Sequence, residues 1–276
     1  MALRSPAVAG SWYPVSPSAL AAAVDGYIAD ADDGPRALSR LIGLIAPHAG
    51  LVYSGPVAAY AYRQLRMRPV DLIVLVGPSH FVGFDGVAIH RGGFDTPLGA
   101  AEFDEAAAAA IMSATSIIRE HPGAHAREHS LEMQMPFIRR VAPQAKIVAL
   151  LMGWQEEDTA RALGDALATA LADRDVLLVA STDLSHYQNA ATASALDAVV
   201  IDHVSRLDAD GLQRTLNRRP DHACGGGPTV AVMRAARQLG ATDAVVLRYA
   251  DSGDVSGDKT AVVGYLAAAI GTIEPS

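Results

Sequence analysis

Three histidines follow strongly apolar runs of the sequence, each a few residues beyond the end of its run. They are His48, His80 and His186, and the runs before them read LIGLIA, DLIVLV and VLLVA. A neutral imidazole is a metal ligand and, near neutral pH, a general base. Open α/β sheets bind ligands at the carboxyl ends of their strands. If these runs are neighbouring parallel strands, we expect the three histidines to meet in one crevice.

Two further side chains would extend such a crevice. Asp183 precedes His186 by three residues, a spacing that puts both on one face if the segment is helical. Cys224, the single cysteine, precedes a glycine run and a predicted helix, whose N-terminus would lower the pKa of the thiol. A lone histidine is more often a turn residue, and a free cysteine is more often an inert core residue. Their combination favours a functional site.

Two or three imidazoles with one thiolate predict a mononuclear site for iron, copper or zinc, with positions left open for substrate or dioxygen. Backed by Asp183, His186 would act as a general base. A Cys–His–Asp hydrolase needs the same residue types, so both chemistries remain open at this point. The sequence contains no P-loop and no G-x-G-x-x-G after a strand, so no motif supports nucleotide binding.

The elements that must position these residues alternate along the chain. Nearly continuous apolar runs predict strands that are covered on both faces, over residues 41–46, 71–76, 147–152, 176–180, 245–249 and 261–266. Helical patterns lie between them, over residues 18–31, 56–67, 103–113, 131–141, 156–172, 190–206 and 228–239. We therefore predict an α/β fold, with one three-layer αβα domain over residues 1–276 and a central, largely parallel or mixed sheet.

Composition excludes several classes of protein. The chain has 276 residues, is 50% hydrophobic and carries a net charge of −8, which excludes a disordered chain. The acidic balance argues against nucleic acid or an anionic membrane as a partner. A single cysteine forms no intrachain disulfide, which fits a reducing compartment. Because we find neither a spanning segment nor the apolar core of a signal peptide, we expect a cytoplasmic protein.

Several segments resemble one known family in sequence and in order. They are AGSWY near the start, APHAGLVYSGP, GPSH, REHSLEMQMPF, STDLSH, the segment around Cys224, and YADS. The chain is similar in all of them to the Memo family, whose bacterial and archaeal members are called AmmeMemoRadiSam system protein B. The matching segments span nearly the whole chain.

The resemblance implies a fold similar to that of class III extradiol dioxygenases, the non-haem iron enzymes that open catechol rings. It implies a mononuclear metal held by His48, His80 and Cys224, with Fe(II) favoured and copper as the alternative. It also implies that Asp183 and His186 line the same pocket, with His186 at the position of the dioxygenase acid/base. His129 aligns with a further pocket histidine of those enzymes.

Two departures from the dioxygenases qualify this expectation. A soft thiolate replaces a hard carboxylate, which favours copper or a redox role. Gly226 and Gly227 replace bulkier residues of the animal relatives, which suggests a more open pocket. The leading hypothesis is a metal-dependent redox enzyme acting on a small aromatic or phenolic molecule. The alternatives are a non-enzymatic copper or iron carrier, or a partner-binding module that works with a radical SAM protein and the third protein of its system.

Overall fold

The computed structural model describes residues 3–35, 38–66 and 68–273. The strands within this part of the chain are β1 (Arg40–Ala46), β2 (Leu72–Pro78), β3 (Val87–Ile89), β4 (Ile118–Glu120), β5 (Lys146–Met152), β6 (Val176–Ser181), β7 (His186–Gln188), β8 (Asp243–Asp251) and β9 (Val262–Thr272). The helices are α1 (Pro17–Asp30), α2 (Leu51–Arg63), α3 (Glu105–Ala114), α4 (Pro122–His125), α5 (Met135–Val141), α6 (Glu157–Leu171), α7 (Ala190–Ser205), α8 (Ala209–Arg218), α9 (Gly226–Gln238) and α10 (Gly253–Ser256).

The strands form a single mixed sheet of nine strands. Eight of them follow the order β4-β3-β5-β2-β6-β1-β9-β7, and the ninth, β8, pairs with β9 outside this path. The four central strands, β5, β2, β6 and β1, are parallel to one another. Strand β9 is antiparallel to β1, to β7 and to β8. The mixed central sheet that the sequence predicts is therefore confirmed.

The central strands are covered by helices on both faces, which is why they read as continuous apolar runs. Along β2, Val74 and Val76 join the core beneath α3, α6 and α9, and Ile73 and Leu75 join the core beneath α1, α2 and α5. All four side chains are fully buried. Burying each one stabilises the fold by roughly 1.5–3 kcal/mol, and the two cores together give the three layers that the sequence predicts.

Six strands were predicted, and the structure contains all six, although β9 continues past Leu266 to Thr272. Two helix starts are wrong: α2 begins at Leu51, and Pro56, which suggested a first turn, lies inside it. The predicted end of that helix, Met67, lies outside the described residues. The helix predicted over 131–141 begins as α5 at Met135, after the 3₁₀ turn Glu132–Gln134. The sequence patterns missed β3, β4 and β7 because three residues are too short to show a period, and they missed the polar helix α8.

The strand order decides where the candidate residues lie. Strand β6 lies between β1 and β2 and runs parallel to both, so all three carboxyl ends share one edge of the sheet. His48 follows β1, His80 follows β2, and the segment with Asp183 and His186 follows β6. The condition on which the predicted crevice rested is thus met. In the described part of the chain, no helix combines the length and the apolar character needed to cross a bilayer.

Candidate metal centre

The three residues predicted as metal ligands come together at this edge of the sheet. One ligand atom each from His48, His80 and Cys224 lies within 4.8 Å of the other two. The two imidazole rings have centroids 5.2 Å apart and meet at 72°. His48 is buried, whereas the side chain of His80 is 27% exposed. A cluster of two nitrogen donors and one sulfur donor that is open on one side matches the chemistry of a mononuclear site for a transition metal.

Hydrogen bonds fix the tautomer of His48. The Ser181 hydroxyl donates its only proton to the carbonyl oxygen of Ser130 at 2.6 Å and accepts from Gln134 Nε2 at 2.8 Å. Because that proton is already used, the 2.8 Å contact between His48 Nδ1 and Ser181 Oγ places the proton on Nδ1. Nε2 therefore carries a lone pair, and it lies 3.3 Å from Cys224 Sγ. Burial lowers the pKa of His48 well below its usual value, so the ring stays neutral.

Glu128 orients His80 in the same way. Its Oε1 lies 2.8 Å from His80 Nδ1, and its Oε2 accepts the His80 backbone N–H at 2.5 Å. The backbone N–H groups of His129 and Ser130 also donate to Oε1. Burial alone would raise the pKa of Glu128, but His80 and these donors lower it to about 2. The ionised carboxylate holds the Nδ1 proton and leaves Nε2 of His80 for a metal.

A second group of ligand-type atoms overlaps the first. Within it, atoms of His80, Glu128 and His129 also lie within 4.8 Å of one another. The 2.8 Å separation of His80 Nδ1 and Glu128 Oε1 is that of a hydrogen bond, and the carboxylate already accepts several N–H groups. We therefore interpret this second group as the support of His80 rather than as a separate metal site.

The environment of Cys224 differs from the sequence-based expectation. A lowered thiol pKa was predicted from the helix that follows, but burial and the Asp183 carboxyl raise the pKa of Cys224 in the metal-free protein. The thiol contacts His48 Nε2, and the backbone N–H of Asp183 donates to its sulfur at 3.3 Å. A bound cation stabilises the thiolate strongly, so metal binding at this site would displace the thiol proton.

Asp183 and His186 do not share a helix and do not support each other. The Asp183 carboxyl accepts the backbone N–H of His48 at 2.7 Å, and burial raises its pKa to about 7. His186 begins β7, and its Nδ1 lies 2.8 Å from the carbonyl oxygen of Leu184, which requires a proton on Nδ1. The backbone thus takes the orienting role that the sequence assigned to Asp183. His186 Nε2 is left as the basic nitrogen, and burial lowers the pKa of the ring.

His129 forms one wall of the crevice. Its ring stacks on His80 with centroids 4.5 Å apart at 16° and lies 4.3 Å from the ring of Trp12. Phe81 meets the same ring edge-on at 5.9 Å. Burial lowers the pKa of His129 to about 4, so this wall is neutral near pH 7. Aromatic rings therefore lie on this side of the ligand set, and the role of His129 in the pocket stays a prediction.

The glycines after Cys224 serve close packing. A Cβ on Gly226 would lie 2.6 Å from the Leu216 side chain, and one on Gly227 would lie 2.7 Å from Met152 Sδ. Both positions are buried. These glycines therefore do not open the pocket in the way that the sequence suggested. They let the segment that carries Cys224 pack against its neighbours.

Sequence patterns missed the residues that orient the ligands. Ser181 directly follows a predicted strand and looks like an ordinary turn residue, and Gln134 lies in a predicted helix. Glu128 and Glu132 are four residues apart, yet their carboxylates have different partners. The one feature of the sequence that points to the role of Glu128 is its position directly before His129, because a carboxylate near a ligand histidine is a common metal-site arrangement.

Replacing Glu128 with glutamine is expected to weaken metal binding about 10- to 100-fold, because an amide holds the His80 Nδ1 proton less firmly. It is also expected to change the pH dependence of folding. The folded pKa of about 2 lies below the ordinary 4.5, so Glu128 stabilises the fold fully above pH 4.5, and this contribution disappears as pH falls toward 2.

Metal titration would measure the first effect, and urea unfolding between pH 6 and pH 2 would measure the second. Glu102→Gln is the control, because its carboxylate is exposed. The difference in unfolding free energy between wild type and Glu128→Gln should shrink as pH falls. A pH-independent difference together with unchanged metal affinity would show that Glu128 does not hold His80 as described.

The chain is thus an α/β protein in which two oriented imidazoles and one thiol meet at the carboxyl edge of a mixed sheet. The family model described as "Memo-like protein" matches residues 4–269. The chain therefore belongs to the Memo family.

Curated relatives match over nearly their whole length. A MEMO1 family protein of Methanothermobacter thermautotrophicus is 39% identical over 273 residues, which cover 95% of this chain and 98% of that protein. One of Methanopyrus kandleri is 37% identical over 278 residues, with 96% and 97% covered. The crystal structure of an uncharacterized protein from Escherichia coli K12 superposes with a TM-score of 0.55 at 16% identity, covering 82% of this chain and 99% of that one. That likeness concerns the fold alone.

Proposed function

We propose that this chain is a metal-dependent redox enzyme that acts on a small aromatic or phenolic substrate. The observation that carries the proposal is the convergence of His48, His80 and Cys224, with both imidazoles turned by hydrogen bonds at Nδ1. Such orientation turns the Nε2 lone pairs toward the place that a metal would occupy, as the outer-shell partners of ligand histidines do.

The residues present fit a resident transition metal. Two imidazoles and a thiol that can release its proton form a three-ligand set, which leaves coordination positions open. Bound iron or copper would supply redox chemistry and Lewis acidity at this point. The thiolate is softer than a carboxylate, so the donor set also accommodates Cu(I).

The surrounding residues supply binding and proton transfer. Trp12, Phe81 and His129 form an aromatic wall beside the ligands, which suits a flat aromatic ring. His186 Nε2 is unprotonated and is the group placed to accept a phenolic proton. It lies three residues after Asp183, whose backbone N–H donates to Cys224 Sγ, so it belongs to the segment beside the ligand set. The pocket therefore combines an aromatic surface, a base and a metal-type donor set.

The test is reconstitution without oxygen, followed by a screen of catechols and related phenols with Fe(II)-loaded protein. We expect substrate loss that disappears in His48→Ala and Cys224→Ser. The control is His203→Ala, since His203 lies on α7 and bonds to Asp208, which precedes α8, and to Thr215 of α8. Tight Cu(I) binding with transfer to an acceptor and no turnover would contradict the enzyme proposal and favour a metal carrier.

A further inference from the structure

Cys224 differs from the two histidines in how it is held. It lies between the 3₁₀ turn Pro220–His222 and α9, in a segment outside any helix or strand. Its backbone N–H donates to the Asp183 carbonyl oxygen at 3.2 Å, and Thr182 Oγ1 accepts the N–H of Gly225 at 3.0 Å. These bonds tie one side of the segment to the residues after β6. The position of the sulfur then depends on what holds the other side.

The side chain of Gln155 holds that other side. Its Nε2 donates to the Cys224 carbonyl oxygen at 2.6 Å, and its Oε1 accepts the backbone N–H of Gly227 at 2.7 Å. One amide thus spans the segment from the ligand to the first turn of α9. A Cβ on Gly227 would lie 2.8 Å from Gln155 Cβ, so the glycine makes this close approach sterically feasible.

The backbone just before Gln155 is hydrogen-bonded to the segment that follows His80. The backbone N–H of Gly153 donates to the carbonyl oxygen of Gly86 at 3.0 Å, and that of Trp154 donates to the carbonyl oxygen of Phe84 at 2.8 Å. A Cβ on Gly153 would lie 2.0 Å from the Phe84 carbonyl oxygen, so the two segments are in direct contact. Gln155 therefore connects the loop after His80 to the segment that carries Cys224.

The order of donor and acceptor requires a glutamine. Cys224 presents a carbonyl oxygen and Gly227 presents an N–H, so the side chain must donate at one end and accept at the other. A glutamate would place an oxygen against the Cys224 carbonyl oxygen. A methionine has nearly the same length and forms neither bond.

We propose that Gln155 is a positioning residue that sets the place of the Cys224 sulfur relative to His48 and His80, and so controls the thiolate–metal bond. This inference rests on the metal site of the proposed function. Gln155 touches the backbone at Cys224 itself and at Gly227, and it does not belong to the ligand set. Its removal should weaken the sulfur bond and leave the two imidazoles in place.

The experiment titrates Co(II) into wild type, Gln155→Met and Gln155→Glu, and follows the thiolate-to-Co(II) charge-transfer absorption together with the dissociation constant. We expect about a 10- to 100-fold weaker affinity in both variants and a reduced or shifted charge-transfer band. Gln238→Met is the matched control, because Gln238 bonds only to Asp165 among the described contacts of its amide. It should bind like wild type.

A second measurement uses the metal-free protein, in which Cys224 is the only thiol. Alkylation by iodoacetamide should be faster in both Gln155 variants, because a loosened segment exposes the sulfur. This readout remains informative if a variant is too unstable for titration at high metal concentration.

The outcomes separate the two proposals. If both Gln155 variants keep the Co(II) affinity, the charge-transfer band and the alkylation rate of wild type, the role of Gln155 is overturned. The proposed metal site is unaffected by that result. A wild-type protein that binds no Co(II), or a Cys224→Ser variant that keeps the band, would overturn the metal site and this inference together.

Discussion

Replacing His186 with glutamine is expected to lower kcat on a phenolic substrate by about 10²- to 10⁴-fold while metal content stays unchanged. The Nδ1 proton is committed to the Leu184 carbonyl oxygen, so Nε2 is the basic atom. Burial lowers the pKa of His186 below 6.5, so the ring is already neutral at pH 7. Glutamine keeps a polar side chain and removes the proton acceptor.

The measurement is kcat as a function of pH, with metal content determined on the same samples. Wild-type activity should fall on the acid side of pH 6.5 as Nε2 becomes protonated, and the variant should lack that limb. His203→Gln is the control for histidine replacement outside the crevice. Unchanged kcat in His186→Gln would remove His186 from the proposed chemistry.

Replacing Glu132 with glutamine is expected to destabilise the protein by about 3–5 kcal/mol, because it leaves a buried arginine without its counter-charge. Arg4 Nη1 lies 2.5 Å from Glu132 Oε2, and the two side chains are only 5% and 1% exposed. The same carboxylate accepts the backbone N–H of Ala7 and the Tyr13 hydroxyl. It therefore ties the N-terminal segment, which carries Trp12 to the crevice, onto the rest of the fold.

Urea unfolding followed by circular dichroism would measure this effect. Glu120→Gln is the matched control, since Glu120 pairs with Arg91 at the surface and such pairs contribute about 0–1 kcal/mol. An unfolding free energy of Glu132→Gln within about 1 kcal/mol of wild type would contradict the structural role given to the buried pair.

The parts of the fold that sequence predicts well are those with a strong local pattern. The apolar runs before His48, His80 and His186 are long enough to identify strands, and residues after parallel strands must share one edge of the sheet. The convergence of these three histidines was therefore predictable from the runs alone, whereas the assignment of Cys224 as a ligand came from the family resemblance. The boundary of α2 was misplaced because the packing of Leu51 and its neighbours outweighs the preference of Pro56 for a first turn.

The parts that sequence could not predict depend on contacts between distant residues. Ser181 orients His48 across 133 positions of the chain, and Gln155 reaches Cys224 across 69. No local period records such pairs. The thiol pKa of Cys224 was expected to fall and instead rises, because burial outweighs the helix terminus and burial depends on the whole fold.

The most direct test of the proposed metal centre is the metal content of protein that has been purified without oxygen and reconstituted with Fe(II) or Cu(I), measured by elemental analysis. Wild type and the control His203→Ala should hold one ion per chain after removal of excess metal. His48→Ala and Cys224→Ser should hold far less, because each loses a ligand from the three-donor set. Equal metal in all four proteins, or none in wild type, would contradict the metal centre described here.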